Sequence, residues 1–398
     1  MAIDVIEHSE FPQNTRLIAE WHQLQSLAND ATLFTTPEWV QTWLEVFGKG
    51  KRCCLLEIRD GHDLLGIMPL IGVALNRSPN LAVYHDLQPE DRQYIAYQSN
   101  KKWLSIRQLS PLANLESANI RGVWLCKREH LKIVLNAGFS YLALDNAWDI
   151  LLLPALKSED SGDVLESAQA FGFHYRLSHQ DSLLGFKVRG WEQYYAEQSY
   201  RFRRTFCNML NRLNACGDIH IKTTTDTGLI SKELAQMFEL AKSSWKEQGR
   251  SHQAIHLPMT DAMEQFYLTL AQRGNAQMFS LTINGRLSGA LLAYTTNDCI
   301  YAMQTYYDPV IAHVSPGRFL MRELIEWCFL NNINWVDMNG NSSMVTTFSD
   351  HEQKYQRIVL FRPALYPVAL FYLSSLALLV RQIRSWVLDL AKKTDAKG

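Results

Sequence analysis

The sequence predicts an α/β (α+β) protein of two tandem units, each a mixed β-sheet flanked by helices. Three observations carry this. The chain has 398 residues, more than one hydrophobic core usually serves. A helix followed by a β-hairpin occurs once in each half. Late in the second half two strands are joined through a helix, which makes them parallel neighbours with a right-handed crossover.

The first unit is assigned to residues 1–184. Its helix lies in TTPEWVQTWLEVFGKG, with Thr36 at the N-cap, Pro37 in the first turn and Gly48 as the stop. Residues 53–72, CCLLEIRDGHDLLGIMPLIG, place two β-favouring runs around Asp60-Gly61, a turn dipeptide that tolerates positive φ. The polar run SEDSGD, residues 158–163, is the most linker-like stretch, and a short helix is expected near 164–171.

The second unit is assigned to residues 185–364. GWEQYYAEQSYRFRRTFCNMLNRLNACG reads as one helix ending at Gly217. Between Ser199 and Leu213 it carries Arg201, Arg203, Arg204 and Arg212 with no acid. A strand, DIHIKTTT, and a helix ending in SSWKEQG follow. Next comes TDAMEQFYLTLAQRGN, with Thr260 at its cap and Gly274 at its exit. The hairpin AQMFSLTINGRLSGALLAYTT, residues 276–296, turns at Asn284-Gly285. Each hairpin has a glycine soon after its second strand begins, Gly66 and Gly289, which points to duplication of one unit.

The strand DCIYAMQTYYD, a helix from about Pro316 to Leu330 and the strand INWVDMN complete the second unit. Ligands favour the carboxyl ends of parallel strands. Here those ends hold Tyr306, Tyr307 and Asp308 on one strand and Asp337, Asn339 and Gly340 on the next. Between them, Ser315 as N-cap and Pro316 in the first turn make a good helix start. Gly317 is a weak helix former. In a first turn it lets a phosphate approach the backbone N–H groups, with Arg318 adding a charged contact. Both readings of Ser-Pro-Gly, helix start and phosphate site, stand.

Residues 365–398 form a third segment. Val368 to Val380 is weakly polar over 13 residues, short of the ~20 that cross a bilayer. Arg381, Arg384, Trp386, Lys392 and Lys393 follow. The segment reads either as a helix packed on its domain or as one settling at a lipid interface through residues 366–393.

A net charge of −1 advertises no nucleic-acid partner. The seven cysteines (Cys53, Cys54, Cys126, Cys207, Cys216, Cys299, Cys328) show no CxxC pair, and no Cys/His cluster suggests a metal. No G-x-S-x-G, GxxxxGK[ST] or GxGxxG occurs. The N-terminal MAIDVIEHSEFPQN lacks an apolar core, so the expected location is cytoplasmic, in the bacterial style. Peripheral contact with the inner face of the membrane is the one exception kept open.

The order helix, hairpin, strand, glycine loop, helix, strand resembles the GNAT superfamily of acyl-CoA N-acyltransferases. More closely, the chain resembles bacterial two-GNAT-domain proteins linked to cellulose and exopolysaccharide biosynthesis loci, relatives of the Fem-type aminoacyltransferases of peptidoglycan bridges. The resemblance covers roughly residues 20–362. Its pieces include FTTPEWVQTWLEVFG, LLGIMPL, RFRRTFCNMLNRLNACG, SSWKEQG, GRLSGALLAY, YYDPVIAHVSPGRFLMRELIEW and WVDMNGNSSMVTTFSDHEQKY.

The resemblance implies an acyl-CoA co-substrate, acetyl-CoA first, with no metal, and a pyrophosphate held by Ser315, Gly317 and Arg318. The usual loop has further glycines. It implies direct transfer to an amine of a sugar, lipid-linked or polysaccharide precursor, with alignment and a proton acceptor supplied by the protein. Candidate bases are Asp337, Asp308, His351 and Glu352; candidate acids are Tyr301 and Tyr306. Asp337 equally reads as a turn cap. Lys354, matching a lysine after the last strand of the relatives, holds an anion or is a solvated surface residue. Trp245 is a wall of the acceptor cleft or a core residue. Arg201 and Arg204, with Arg203, greet an anionic acceptor or line a solvated helix face. Asp308 is a further acceptor contact. Two other readings stand beside this one. The first is aminoacyl transfer from tRNA, disfavoured by the lack of a long heptad-rich arm. The second is a degenerate GNAT scaffold in a polysaccharide-synthesis complex. In every case the first unit is structural or on the acceptor side.

Overall fold

The duplication is visible element by element in the computed structural model, which describes residues 3–28, 31–77, 104–114, 117, 121–243, 259–340 and 343–376. The first unit runs β1 (Ile3–His8), α1 (Thr15–Leu27), α2 (Pro37–Phe47), β2 (Arg52–Asp60), β3 (Asp63–Arg77) and β4 (Leu104–Pro111). It continues through β5 (Leu125–Cys126), α3 (Leu131–Leu144), β6 (Ile150–Lys157), α4 (Ser161–Ala170) and β7 (His174–Lys187). The second opens with α5 (Trp191–Glu197) and α6 (Tyr200–Asn214). It then repeats the series as β8 (Ile219–Thr224), α7 (Thr227–Lys242), α8 (Asp261–Gln272), β9 (Ala276–Ile283), β10 (Arg286–Thr296) and β11 (Cys299–Tyr307). α9 (Pro316–Leu330), β12 (Trp335–Asp337), α10 (Ser343–Phe348) and β13 (His351–Phe361) close it, and α11 follows over 365–376.

Local chemistry explains the repeated starts and turns. Thr36 Oγ accepts from the Trp39 N–H and Thr260 Oγ from the Met263 N–H, so both hairpins follow a capped helix. The register of β2 and β3 skips Leu65 just before Gly66; that of β9 and β10 skips Ser288 just before Gly289. The same bulge at the same offset is the strongest mark of duplication. At Gly66 the glycine is required, because a Cβ there would lie 2.8 Å from both methyls of Val134 on α3.

The described strands form one sheet in the order β1-β2-β3-β4-β6-β13-β7-β12-β11-β10-β9-β8, with β5 beside β3. The last strands of the two units are exchanged. β13 pairs with β6 of the first unit, β7 with β12 of the second, and the two lie antiparallel at the centre. Residue 185, the expected boundary, therefore falls inside β7, where Gly185 faces Asp337 and His351. Helices α1, α2, α7 and α8 share one apolar layer, with Phe266 packed 5.0 Å from Trp39 and 5.2 Å from Phe47. α3 and α4 cover the other face of the first unit, and α5, α6 and α9 that of the second.

Two local expectations are corrected. The run at 158–163 is no linker: it forms a turn and the start of α4, and buried Asp160 pairs with Arg128. The arginine-bearing helix is two helices, because Ser199 Oγ accepts from the Phe202 N–H and begins α6 anew.

Candidate active site

β11 and β12 pair in parallel over three positions only, Cys299 with Trp335, Ile300 with Val336 and Tyr301 with Asp337. Beyond them β11 continues to Tyr307 beside β10, while residues 338–340 stay with β7 through the Met338 N–H to Leu184 O (3.1 Å) and Leu184 N–H to Gly340 O (3.2 Å) bonds. The strands therefore part, leaving a wedge at their carboxyl ends. At the wedge the β10–β11 register skips Met303, a bulge that takes one residue out of the ladder.

From Tyr307 the chain turns through Pro309–Val314 into α9. Asp308 shapes this turn: its carboxylate accepts from the Val310 N–H at 3.0 Å and pairs with Arg286 at 3.4 Å. Its side chain is thus committed to the loop and to Arg286. Ser315 does not make the expected N-cap bond. Its backbone is left-handed (φ 53°), its side chain accepts nothing from α9, and its carbonyl takes the Arg318 N–H at 3.0 Å. Among the described residues no side chain accepts from the N–H groups at the start of α9, and the positive end of the helix suits an anion. Pro316 and Gly317 are buried, and half-buried Arg318 reaches back to Met209 on α6.

One side of the β11–β12 pair, from Cys299 and Trp335 to Tyr301 and Asp337 where the strands part, lines a cleft of about 290 Å3 between the two units. The first unit gives it Thr32, Arg121 and Lys157; the second gives Asp298, Tyr301, Trp335 and Asp337; and β13 gives His351, Gln353 and Tyr355. At its floor Arg121 holds Asp337 with two N–H groups (2.5 and 3.3 Å) and Asn339 Oδ1 at 2.7 Å. Its guanidinium lies 4.6 Å from the centre of the Phe34 ring. Burial pulls the Arg121 pKa down, but the Asp337 charge outweighs it, and the guanidinium is held protonated above its ordinary value. Asp337 also accepts from the Asn339 N–H at 2.7 Å, the turn-capping role.

Several expected roles change with this geometry. Asp337 has both carboxylate oxygens engaged, by Arg121 and by the Asn339 N–H, which makes it a poor proton acceptor. Tyr306 is buried and its hydroxyl donates to Gln304 Oε1 at 3.1 Å, so its proton is committed too. Lys354 stands on the face of β13 opposite the cleft, because alternation along the strand turns His351, Gln353 and Tyr355 inward. Arg201 and Arg204 lie on the solvent side of α6, whose inner side packs Phe206 against Phe319 of α9 (5.4 Å). Arg203 folds back onto the Ala196 carbonyl. Trp245 lies outside the described residues. Burial drives the Tyr301 phenol and the Cys299 thiol well above their ordinary values, so neither offers an anion.

Arg121, Lys157, Trp335 and Asp298 were not singled out by sequence. Arg121 had only an adjacent glycine to mark it: Gly122 has φ +87°, and a Cβ there would fall 2.8 Å from that of Phe34.

A parallel pair parting before an uncapped helix start, in a twice-repeated α/β unit, defines a GNAT-type acyltransferase fold. Residues 200–355 match the acetyltransferase (GNAT) domain family. Among solved structures, FemX aligns at 10% identity and TM-score 0.56, over 89% of this chain and 96% of its own. A tandem GNAT protein from the clavulanic acid biosynthesis pathway aligns at 10% and 0.46, over 92% and 100%. L-PGS from Bacillus licheniformis aligns at 11% and 0.46, over 94% and 98%. At such identity the FemX similarity is one of fold alone. No curated protein matches the chain in sequence.

Proposed function

We propose that the protein is an N-acyltransferase that moves an acyl group from acyl-CoA to an amine of a sugar, lipid-linked or polysaccharide precursor in envelope or exopolysaccharide synthesis. The observation that carries this reading is the wedge between β11 and β12, with the uncapped start of α9 at its open end. The wedge suits a narrow thioester arm. Gly317 and the first-turn N–H groups suit its pyrophosphate, and Arg318 stands beside them. The cleft between the units takes the acceptor, and Trp335 offers an aromatic face to it.

His351 replaces Asp337 as the proton acceptor in this reading. It lines the cleft, exposed, 5.4 Å from the Trp335 ring, and imidazole is the commonest general base. The acceptor's ammonium gives one proton to His351, directly or through water. Nitrogen then forms the C–N bond; the C–S bond breaks, and a second proton passes from nitrogen to the departing sulfur. The backbone N–H of Met303, out of the β10 ladder, is suited to the developing oxyanion. A second reading, a binding or scaffold subunit, draws on the engagement of Asp337 by Arg121 and of Tyr306 by Gln304.

Calorimetric titration with acetyl-CoA and a longer acyl-CoA tests the proposal, with Gly317→Trp alongside. Saturable binding that the variant abolishes is expected. Absence of binding to both donors overturns it and favours a tRNA-linked donor or the scaffold.

A further inference from the structure

α11 is held to the sheet by a small set of contacts. Arg176 donates to the Phe371 carbonyl and to Ser375 Oγ, and its guanidinium lies 4.7 Å from the Phe371 ring centre. His174 stacks on that ring at 4.9 Å, and Leu370 and Ser374 are each 2% exposed. These contacts fix which side of the helix faces out.

The outward side is apolar. Leu365 is 90% exposed, Tyr372 60%, Leu376 59% and Leu373 54%, and Tyr366 and Ala369 lie in the same arc. At 100° per residue these six positions fall within about a third of the helix circumference, and none bears a charge. A helix face that borders water normally carries charged residues. The sequence that follows is basic: Arg381, Arg384, Lys392, Lys393 and Lys397 against Asp389 and Asp395, with Trp386 among them.

We propose that the outer face of α11 docks the protein onto an anionic lipid surface. The charge chooses the occupant. Pairing with a second copy would bring two basic segments together, whereas anionic headgroups neutralise them. Leucine and tyrosine side by side suit the boundary between headgroups and acyl chains. The weakly polar run from Val368 to Val380 is 13 residues, short of the ~20 that cross a ~30 Å hydrocarbon core, which places the segment in the interface. Among the described residues no helix is long and apolar enough to cross a membrane.

Co-sedimentation of the full chain with phosphatidylcholine vesicles, with and without phosphatidylglycerol, tests this. Binding is expected only when phosphatidylglycerol is present, and it should weaken as salt rises from about 0.1 to 1 M and the Debye length falls from ~10 to ~3 Å. The double variant Leu373→Glu/Leu376→Glu, with both changes on exposed positions, should keep the melting temperature and lose at least about tenfold in partitioning. Three results would each overturn the proposal: no binding to anionic vesicles, unchanged binding by the variant, or equal binding to neutral vesicles at either salt. Concentration-dependent dimerisation that the variant abolishes, without vesicle binding, would assign the face to a second copy.

Discussion

Removing Arg121 tests whether the first unit holds the second unit's site together. The Arg121 side chain is 4% exposed, and Arg121→Ala takes the charged donor from Asn339 Oδ1 and from the Asp337 carboxylate, which keeps the Asn339 N–H. Breaking a buried ion pair by deleting one partner costs about 3–5 kcal/mol. Asp337 is 21% exposed, so water reaches it and the lower end of that range applies. Loss of the cation from the Phe34 face adds roughly 0.5–1 kcal/mol. A total near 3.5 kcal/mol, set against an unfolding entropy of ~2.1 cal/mol/K for each of 398 residues, lowers Tm by about 4 °C. Differential scanning calorimetry reads it. The double variant Arg121→Met/Asp337→Leu removes both charges and should recover most of the loss, since an apolar pair of similar volume costs little there. A fall under about 1 °C in the single variant, or a double variant no better than the single, would refute the reasoning.

His351→Ala should lower kcat by about 10²–10⁴-fold at unchanged acyl-CoA affinity. Lys354→Ala, on the other face of β13, should leave both within about twofold of the parent by the small effect of surface changes away from a site. Steady-state kinetics with an amine acceptor decides between these two assignments. Residues 1–184 expressed alone should aggregate, because β6 then exposes the edge that β13 covers. Co-expression with residues 185–398 should restore a soluble complex, checked by size-exclusion chromatography.

What was legible in the sequence was local. Asp60-Gly61 and Asn284-Gly285 set their hairpins through backbone conformation alone, and Gly285 has φ +77° as such a turn demands. The caps at Thr36 and Thr260 needed only three residues each. The exchange of β7 and β13 was not legible, because either strand could pair beside β6 or β12 without changing its own pattern. The role of Lys354 failed on parity. His351-Glu352-Gln353-Lys354 is polar at every position, so alternation cannot say which side faces the cleft. Asp337 looked available because its partner lies 216 residues away in a segment with no periodic signal.

The exchange also bears on why the wedge is open in the second unit and closed in the first. The first unit has its own parting parallel pair, with β4 meeting β6 only at Gln108–Ile150 and Leu109–Leu151, and α3 stands where α9 does. That place is filled from within. β5 docks on β3, Leu112, Val123 and Leu125 are buried, and about 60 Å3 remains at the start of α3. The segment that closes the first wedge also carries Arg121 across to Asp337, where the second begins to part. Because β12 lies between β11 and the borrowed strand β7, the first unit holds the β12 side of the open wedge. A duplicated unit that had only lost its ligand would leave a collapsed slot. Here the filling segment has gained a contact with the other half, so the first unit reaches β12 through both Arg121 and β7.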